Sequence, residues 1–171
     1  MNDSAVKLTD EIVEVLQEKY RLGENVKIVS SGGSMGGLSA LVYTACAKIT
    51  PVACVANCPV CDLPYHFTER DDLPRTLYSA FFTYEGSMNE ALRSASPLHL
   101  VDKMPDIPYV LFHCTADLAV NIDKHSGAFV DAMKAAGKNI ELVKVEGRGH
   151  CDLSPKAWLE HFDALCAHIE R

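Results

Sequence analysis

Apolar residues recur along the chain with two periods, and the period separates helix from strand. Val6, Leu8, Ile12, Val13, Leu16 and Tyr20 repeat at helical spacing, with Asp10, Glu11, Glu14, Gln17, Glu18 and Lys19 on the other face, which predicts an amphipathic helix over 6–20. Gly23 and Asn25 interrupt it, and Val26 to Val29 reads as a short strand running straight into SSGGSMGG. From Met35, MGGLSALVYTACAKI is small or apolar nearly all round, as in a helix buried against a sheet, and Pro51 stops it. A second strand is expected over 52–56. The irregular stretch NCPVCDLPYHFTERDDLPRT follows, with helical patches expected over 74–82 and 87–94. Tyr109 to Cys114 is a third apolar run, Asp123 to Ala136 a helix ended by Gly137, and Ile140 to Val145 a fourth strand. Ser154 as N-cap and Pro155 in the first turn open a last helix, with Trp158, Leu159, Phe162, Leu165 and Ile169 as its expected inward stripe.

Strands that alternate with helices imply a parallel sheet joined by right-handed crossovers, with helices on both faces and function beyond the carboxyl ends of the strands. The expected architecture is an α/β three-layer sandwich around a mainly parallel sheet of about four strands. At 171 residues the chain fits one domain, 1–171, in which 57–105 reads as a lid or insertion region. With 48% hydrophobic and 23% charged residues it is neither disordered nor fibrous. A core of this size needs no disulfide staples. The seven cysteines are odd in number and the start MNDSAVKLTDEIVE lacks a basic, apolar signal, so free thiols in a reducing cytoplasm are expected. A net charge of −7 without a basic stripe argues against nucleic acid. No apolar run approaches the ~20 residues of a membrane span, and no basic amphipathic helix suits a bilayer surface.

Gly32-Gly33-Ser34-Met35-Gly36 matches G-x-S-x-G between a predicted strand and a predicted helix, the setting that gives this motif meaning. Glycines are expected where a side chain would clash at the sharp turn, leaving Ser34 projecting at the amino end of a helix. The N–H of Met35 is then the natural first donor to an oxyanion. A serine hydroxyl needs a base, and the base an orienting carboxylate. Asp117 lies just beyond the third strand and His150 just beyond the fourth, 33 residues apart, which accommodates one crossover helix and strand.

The order Ser34, Asp117, His150, each in its structural slot, resembles the α/β-hydrolase fold over nearly the whole chain. The contexts TADLAV and GRGH are similar to small bacterial esterases and to the catalytic domains of prolyl-oligopeptidase-like enzymes. The resemblance implies that Ser34 is the nucleophile, His150 the base, Asp117 the acid and Met35 an oxyanion donor, with no cofactor and no metal. It implies a serine hydrolase acting on a small ester. A peptidase or amidase would use the same residues, and a hydrolase-like binding or assembly module would keep them without activity. A complete fold of that kind has four strands before the elbow, whereas only residues 1–25 precede Val26 here, so the fold is expected in truncated form, without the loop that usually brings the second oxyanion N–H. Loss of such a donor costs roughly 3 to 4 kcal/mol in the transition state. The elbow strand should then be a sheet edge, and a second copy of the chain or a complementing segment is expected to pair across Val26 to Val29.

Other chemistry-bearing residues are read structurally. Cys54, Cys58, Cys61 and His66 could suggest zinc, and Cys58-Pro59-Val60-Cys61 a redox pair, but no second ligand pair follows and the setting is wrong for a thioredoxin-like turn. Packing is the expected role of these cysteines and of Cys151. Asp123, a rival acid, is expected to be an N-cap, and Asp152 lies too near His150 in sequence to orient it. His66, His99, His113, His125, His161 and His168 carry no strand-end context. The aromatics Tyr65, Phe67, Tyr78, Phe81, Phe82 and Tyr84 could wall a substrate pocket, form a packing layer or face a second subunit.

Overall fold

The computed structural model describes residues 1–23 and 25–169. Four parallel strands in the order β1-β2-β3-β4 form its sheet: β1 (Val29–Gly33), β2 (Ala53–Asn57), β3 (Tyr109–Cys114) and β4 (Ile140–Val145). Val29 lies opposite Ala53, Cys54 opposite Tyr109 and Tyr109 opposite Ile140. The first strand begins where the predicted one ended. Among the described residues one bond precedes it, from Val52 N to Ile28 O at 2.8 Å, and the paired residues are mostly the serines and glycines that a propensity argument discards. Among the described residues β1 pairs with β2 alone and is an edge, so the open edge is Val29–Gly33 rather than Val26–Val29.

Alternation along the strands sorts the core into two layers. Cys54, Ala56, Tyr109, Leu111 and Ile140 face helices α2 (Met35–Cys46) and α6 (Ala128–Ala135), which supply Leu38, Leu41, Phe129 and Met133. Val55, Phe112, Cys114 and Val145 face the other way, against Ala157, Ala164 and Leu165 of α7 (Pro155–Cys166). Ser154 caps α7 by accepting from Ala157 N. The predicted inward stripe of α7 is corrected: Trp158, Leu159 and Phe162 are 57%, 60% and 50% exposed, and Ile169 is also exposed. The small residues pack, and Trp158 stacks on Phe162 outside.

Helix α1 (Asp3–Tyr20) is capped by Asn2 and tied to α2 by Tyr43 Oη donating to Asp10. The excursion after β2 holds α3 (Leu63–Glu69), α4 (Leu73–Phe81) and α5 (Met88–Ser94). Its first helix falls in the stretch whose sequence reads as irregular, and Asp62 caps it by accepting from Tyr65 N. Leu63, Leu73, Leu77, Phe81 and Leu92 from this region belong to the main core layer, whereas Tyr78, Phe82 and Tyr84 are exposed. The helix predicted from Asp123 starts as a π-helical turn, Asp123–Gly127, before α6. None of the described helices is long and apolar enough to cross a membrane.

Candidate active site

Ser34 sits between β1 and α2 with φ 55° and ψ −123°, a left-handed backbone that a non-glycine residue holds only under constraint. The constraint is visible: Ser34 N donates to Asn57 O at 2.9 Å, and Ser34 O accepts from Leu38 N. A Cβ on Gly32 would lie 2.3 Å from Gly36 O, and one on Gly37 would lie 2.8 Å from the Pro59 side chain. Gly36, the last glycine of the motif, has no atom within 4 Å of such a Cβ, so the close approaches fall on Gly32 and Gly37. Met35 N belongs to the first turn of α2, where N–H groups lack helical acceptors.

The structure brings the three predicted residues into series. His150 Nε2 is 2.8 Å from Ser34 Oγ, and His150 Nδ1 is 2.7 Å from Asp117 Oδ2. The carboxylate side chain is fully buried. Its other oxygen accepts from Ala119 N at 2.8 Å and Val120 N at 3.0 Å. Burial alone would raise the Asp117 carboxyl, but the His150 hydrogen bond and these two N–H donors outweigh it and hold the group below its ordinary value. An ionised Asp117 makes Nδ1 the protonated nitrogen of His150 and leaves the Nε2 lone pair for the Ser34 hydroxyl. The His150 loop is pinned across the sheet by Asn57 Nδ2 donating to Cys151 O and Ala116 N donating to Arg148 O.

Other readings of the sequence are corrected or sharpened. Asn121, not Asp123, caps the turn before α6, its Oδ1 accepting from Asp123 N and Lys124 N. Asp152 pairs with Arg148 at 2.7 Å. Cys54, Cys58, Cys61 and His66 do not converge: Cys54 and Cys61 lie in one core layer and Cys58 in the other. His66 instead joins Glu69 and His125. Glu69 Oε2 is 2.6 Å from His66 Nδ1 and 3.0 Å from His125 Nε2, while Glu69 Oε1 accepts from Asn121 N. Desolvation opposes the Glu69 charge, yet the two imidazoles and that N–H keep its carboxyl below the usual range.

Sequence reasoning gave no role to His113, which lies behind the acid. Its Nε2 donates to Val120 O at 3.1 Å and is 3.5 Å from Asp117 Oδ2, and its Nδ1 meets Ser126 Oγ at 2.7 Å. Burial lowers the His113 basicity, so the ring stays neutral and holds the loop whose N–H groups hold Asp117. A histidine in an apolar strand four residues before the acid was the available signal. Cys58 was likewise missed as a neighbour of the site. Its Sγ accepts from Cys114 N and Cys151 N, each at 3.4 Å. The Cys151 thiol first, and then these N–H groups against burial, bring the Cys58 thiol down to about 7, and Cys151 is pushed up in consequence. Arg70, Leu118, Ala119 and Gly149 line an open pocket against His150.

A parallel sheet with a strained serine after one strand, and an acid and a histidine after two others, defines an α/β-hydrolase fold. A family model described as the prolyl oligopeptidase family matches residues 8–171. The chain belongs to the prolyl oligopeptidase family, a family of serine hydrolases. Among solved structures it is similar to the acylaminoacyl peptidase of Pyrococcus horikoshii, with 17% identity and a TM-score of 0.66 over 81% of this chain and 22% of that one. An acylaminoacyl peptidase in complex with Z-Gly-Gly-Phe-chloromethyl ketone shares 18% identity at a TM-score of 0.72, over 93% of this chain and 26% of that one. A truncated carbohydrate esterase from gut microbiota shares 17% identity at a TM-score of 0.75, over 97% and 67% respectively. These likenesses are of fold. The chain spans about a quarter or less of the length of the two peptidases. No curated protein matches it.

Proposed function

We propose that this protein is a serine hydrolase working by acyl transfer through Ser34. The observation that carries the reading is the unbroken relay of 2.8 Å and 2.7 Å from hydroxyl to imidazole to carboxylate. As Ser34 Oγ attacks an acyl carbon, His150 Nε2 takes its proton, and Asp117 stabilises the imidazolium and holds its tautomer. Met35 N–H faces the developing oxyanion, and a second donor comes from a segment outside this sheet or from another copy. His150 then protonates the leaving group, and water repeats the steps in reverse to free Ser34. A small ester is the substrate read from the sequence. Membership of a family named for its oligopeptidases favours a second reading, cleavage of a peptide or acylamino bond by the same atoms.

A fluorophosphonate probe tests the nucleophile. Labelling of the wild-type chain, lost in Ser34→Ala and in His150→Ala, is the expected result; a wild-type chain that never labels leaves a binding module. Matched p-nitrophenyl ester and p-nitroanilide substrates separate the two bond classes, hydrolysis of the ester alone supporting the first and turnover of the anilide the second.

A further inference from the structure

Acyl transfer leaves two thiols beside the Ser34–His150 pair unused. Cys58 Sγ, Cys151 Sγ and His150 Nε2 lie within 4.8 Å of one another, and Cys151 Sγ is 3.8 Å from Nε2. With Zn–S near 2.3 Å and Zn–N near 2.0 Å, a tetrahedral site holds its ligand atoms roughly 3.5–3.8 Å apart. The Cys151–His150 separation is within about 0.3 Å of the sulfur–nitrogen value, and the other two need to close by at most about 1.3 Å.

The surroundings fit a metal. Asp117 behind His150 is the carboxylate that commonly stands behind a metal-bound imidazole, fixing Nδ1–H and aiming the Nε2 lone pair outward. Two backbone N–H groups point at Cys58 Sγ and stabilise a sulfur that gives up its proton. Both cysteines hold left-handed backbone, φ 44° at Cys58 and φ 56° at Cys151, a strain that in non-glycine residues clusters at functional places. His150 and Cys151 are half-buried, which leaves a way in from solvent. The cluster of His66, Glu69 and His125 lacks this freedom: His125 Nδ1 accepts from Cys61 N and Asp62 N, so its Nε2 carries the proton shared with Glu69 and has no lone pair to give.

We propose that Cys58, Cys151 and His150 form an inhibitory site for a thiophilic divalent cation, with zinc as the fitting ion. Binding displaces one proton from each thiol, and the two thiolates neutralise the ion's charge. Sulfur and imidazole donors select zinc over magnesium or calcium. The occupied site takes the Nε2 lone pair that would accept the Ser34 proton, so the hydrolase is off while the ion is bound and recovers when it is stripped. Inhibition rests on the reading of Ser34 as nucleophile; binding does not.

The test is cobalt titration of metal-free protein kept reduced by a phosphine. One equivalent should give tetrahedral visible bands and a sulfur-to-cobalt charge-transfer band, both displaced by zinc. Cys151→Ser, which keeps the size of the side chain, should weaken zinc binding at least ~10-fold and diminish the charge-transfer band, while Cys46→Ser changes neither. In a second arm, one equivalent of zinc should block fluorophosphonate labelling and a chelator restore it. Against its own metal-free rate, Cys151→Ser should need at least ~10-fold more zinc for the block. A wild-type chain without the charge-transfer band, or a band and a block unchanged in both Cys151→Ser and Cys58→Ser, overturns the site. A chain that shows the cysteine-dependent band but never labels keeps the metal site and removes the nucleophile.

Discussion

Gly32→Ala tests the packing argument at the elbow most sharply. The new methyl carbon would stand 2.3 Å from Gly36 O, 2.4 Å from Gly36 C and 3.0 Å from Gly37 N, where ordinary contact begins at 3.4 Å. All three are main-chain atoms, so the first turn of α2 would have to retreat from β1 by about 1 Å. Little slack exists. Ser34 is tied to Asn57 O at 2.9 Å, and Gly37 already abuts Pro59 on the far side. Overpacking in a closed site costs about 1–3 kcal/mol and occasionally more, and main-chain clashes place this variant at or above the upper end. Gly36→Ala meets no atom within 4 Å and requires no left-handed φ, so it should be neutral or gain up to ~1 kcal/mol of helix propensity. Urea unfolding of both variants, with the slope checked for two-state behaviour, measures the difference. Equal losses at the two glycines, or a Gly32→Ala chain as stable as wild type, would refute the reasoning.

Asp117→Asn should lower turnover about 10⁴-fold, because the amide favours the wrong tautomer of His150; a loss below tenfold would assign the orienting acid elsewhere. Stability should fall as the medium is acidified below about pH 6.5, since burial lowers the basicity of His113 and His125 and the unfolded chain binds protons there that the folded chain refuses. Urea midpoints at several pH values check this, and His113→Gln should flatten the dependence. The open edge of β1, Val29–Gly33, is expected to be covered by a second copy or a complementing segment; a strictly monomeric species in sedimentation at micromolar concentration would defeat the self-pairing form.

The fold was legible because strands and helices alternate and each strand ends in a marked turn. The relay was legible because Ser34, Asp117 and His150 occupy three such turns in a recognisable order. Periodicity says that a helix has an apolar face without saying what that face meets, which is why the pattern points Trp158 and Phe162 inward while Ala157 and Ala164 do the packing. Residues Ser30 to Gly33 have poor strand propensity, and only their pairing with β2 makes them a strand. Helix α3 spans just seven residues, too short for a periodic signal, although Asp62 and Pro64 mark its start. The approach of Cys151 to Cys58 joins positions 93 residues apart and exists only in three dimensions.

Ser34 and His150 hang from opposite borders of the sheet, one after β1 and the other after β4, with two further strands between them. A one-residue slip at any of the three ladders moves one end by about 3.3 Å and parts them. On the proposed role of Ser34, its labelling would therefore be a gauge of register across these four strands. During refolding, a single-turnover label would count correctly assembled molecules while ignoring collapsed ones that spectroscopy scores as structured.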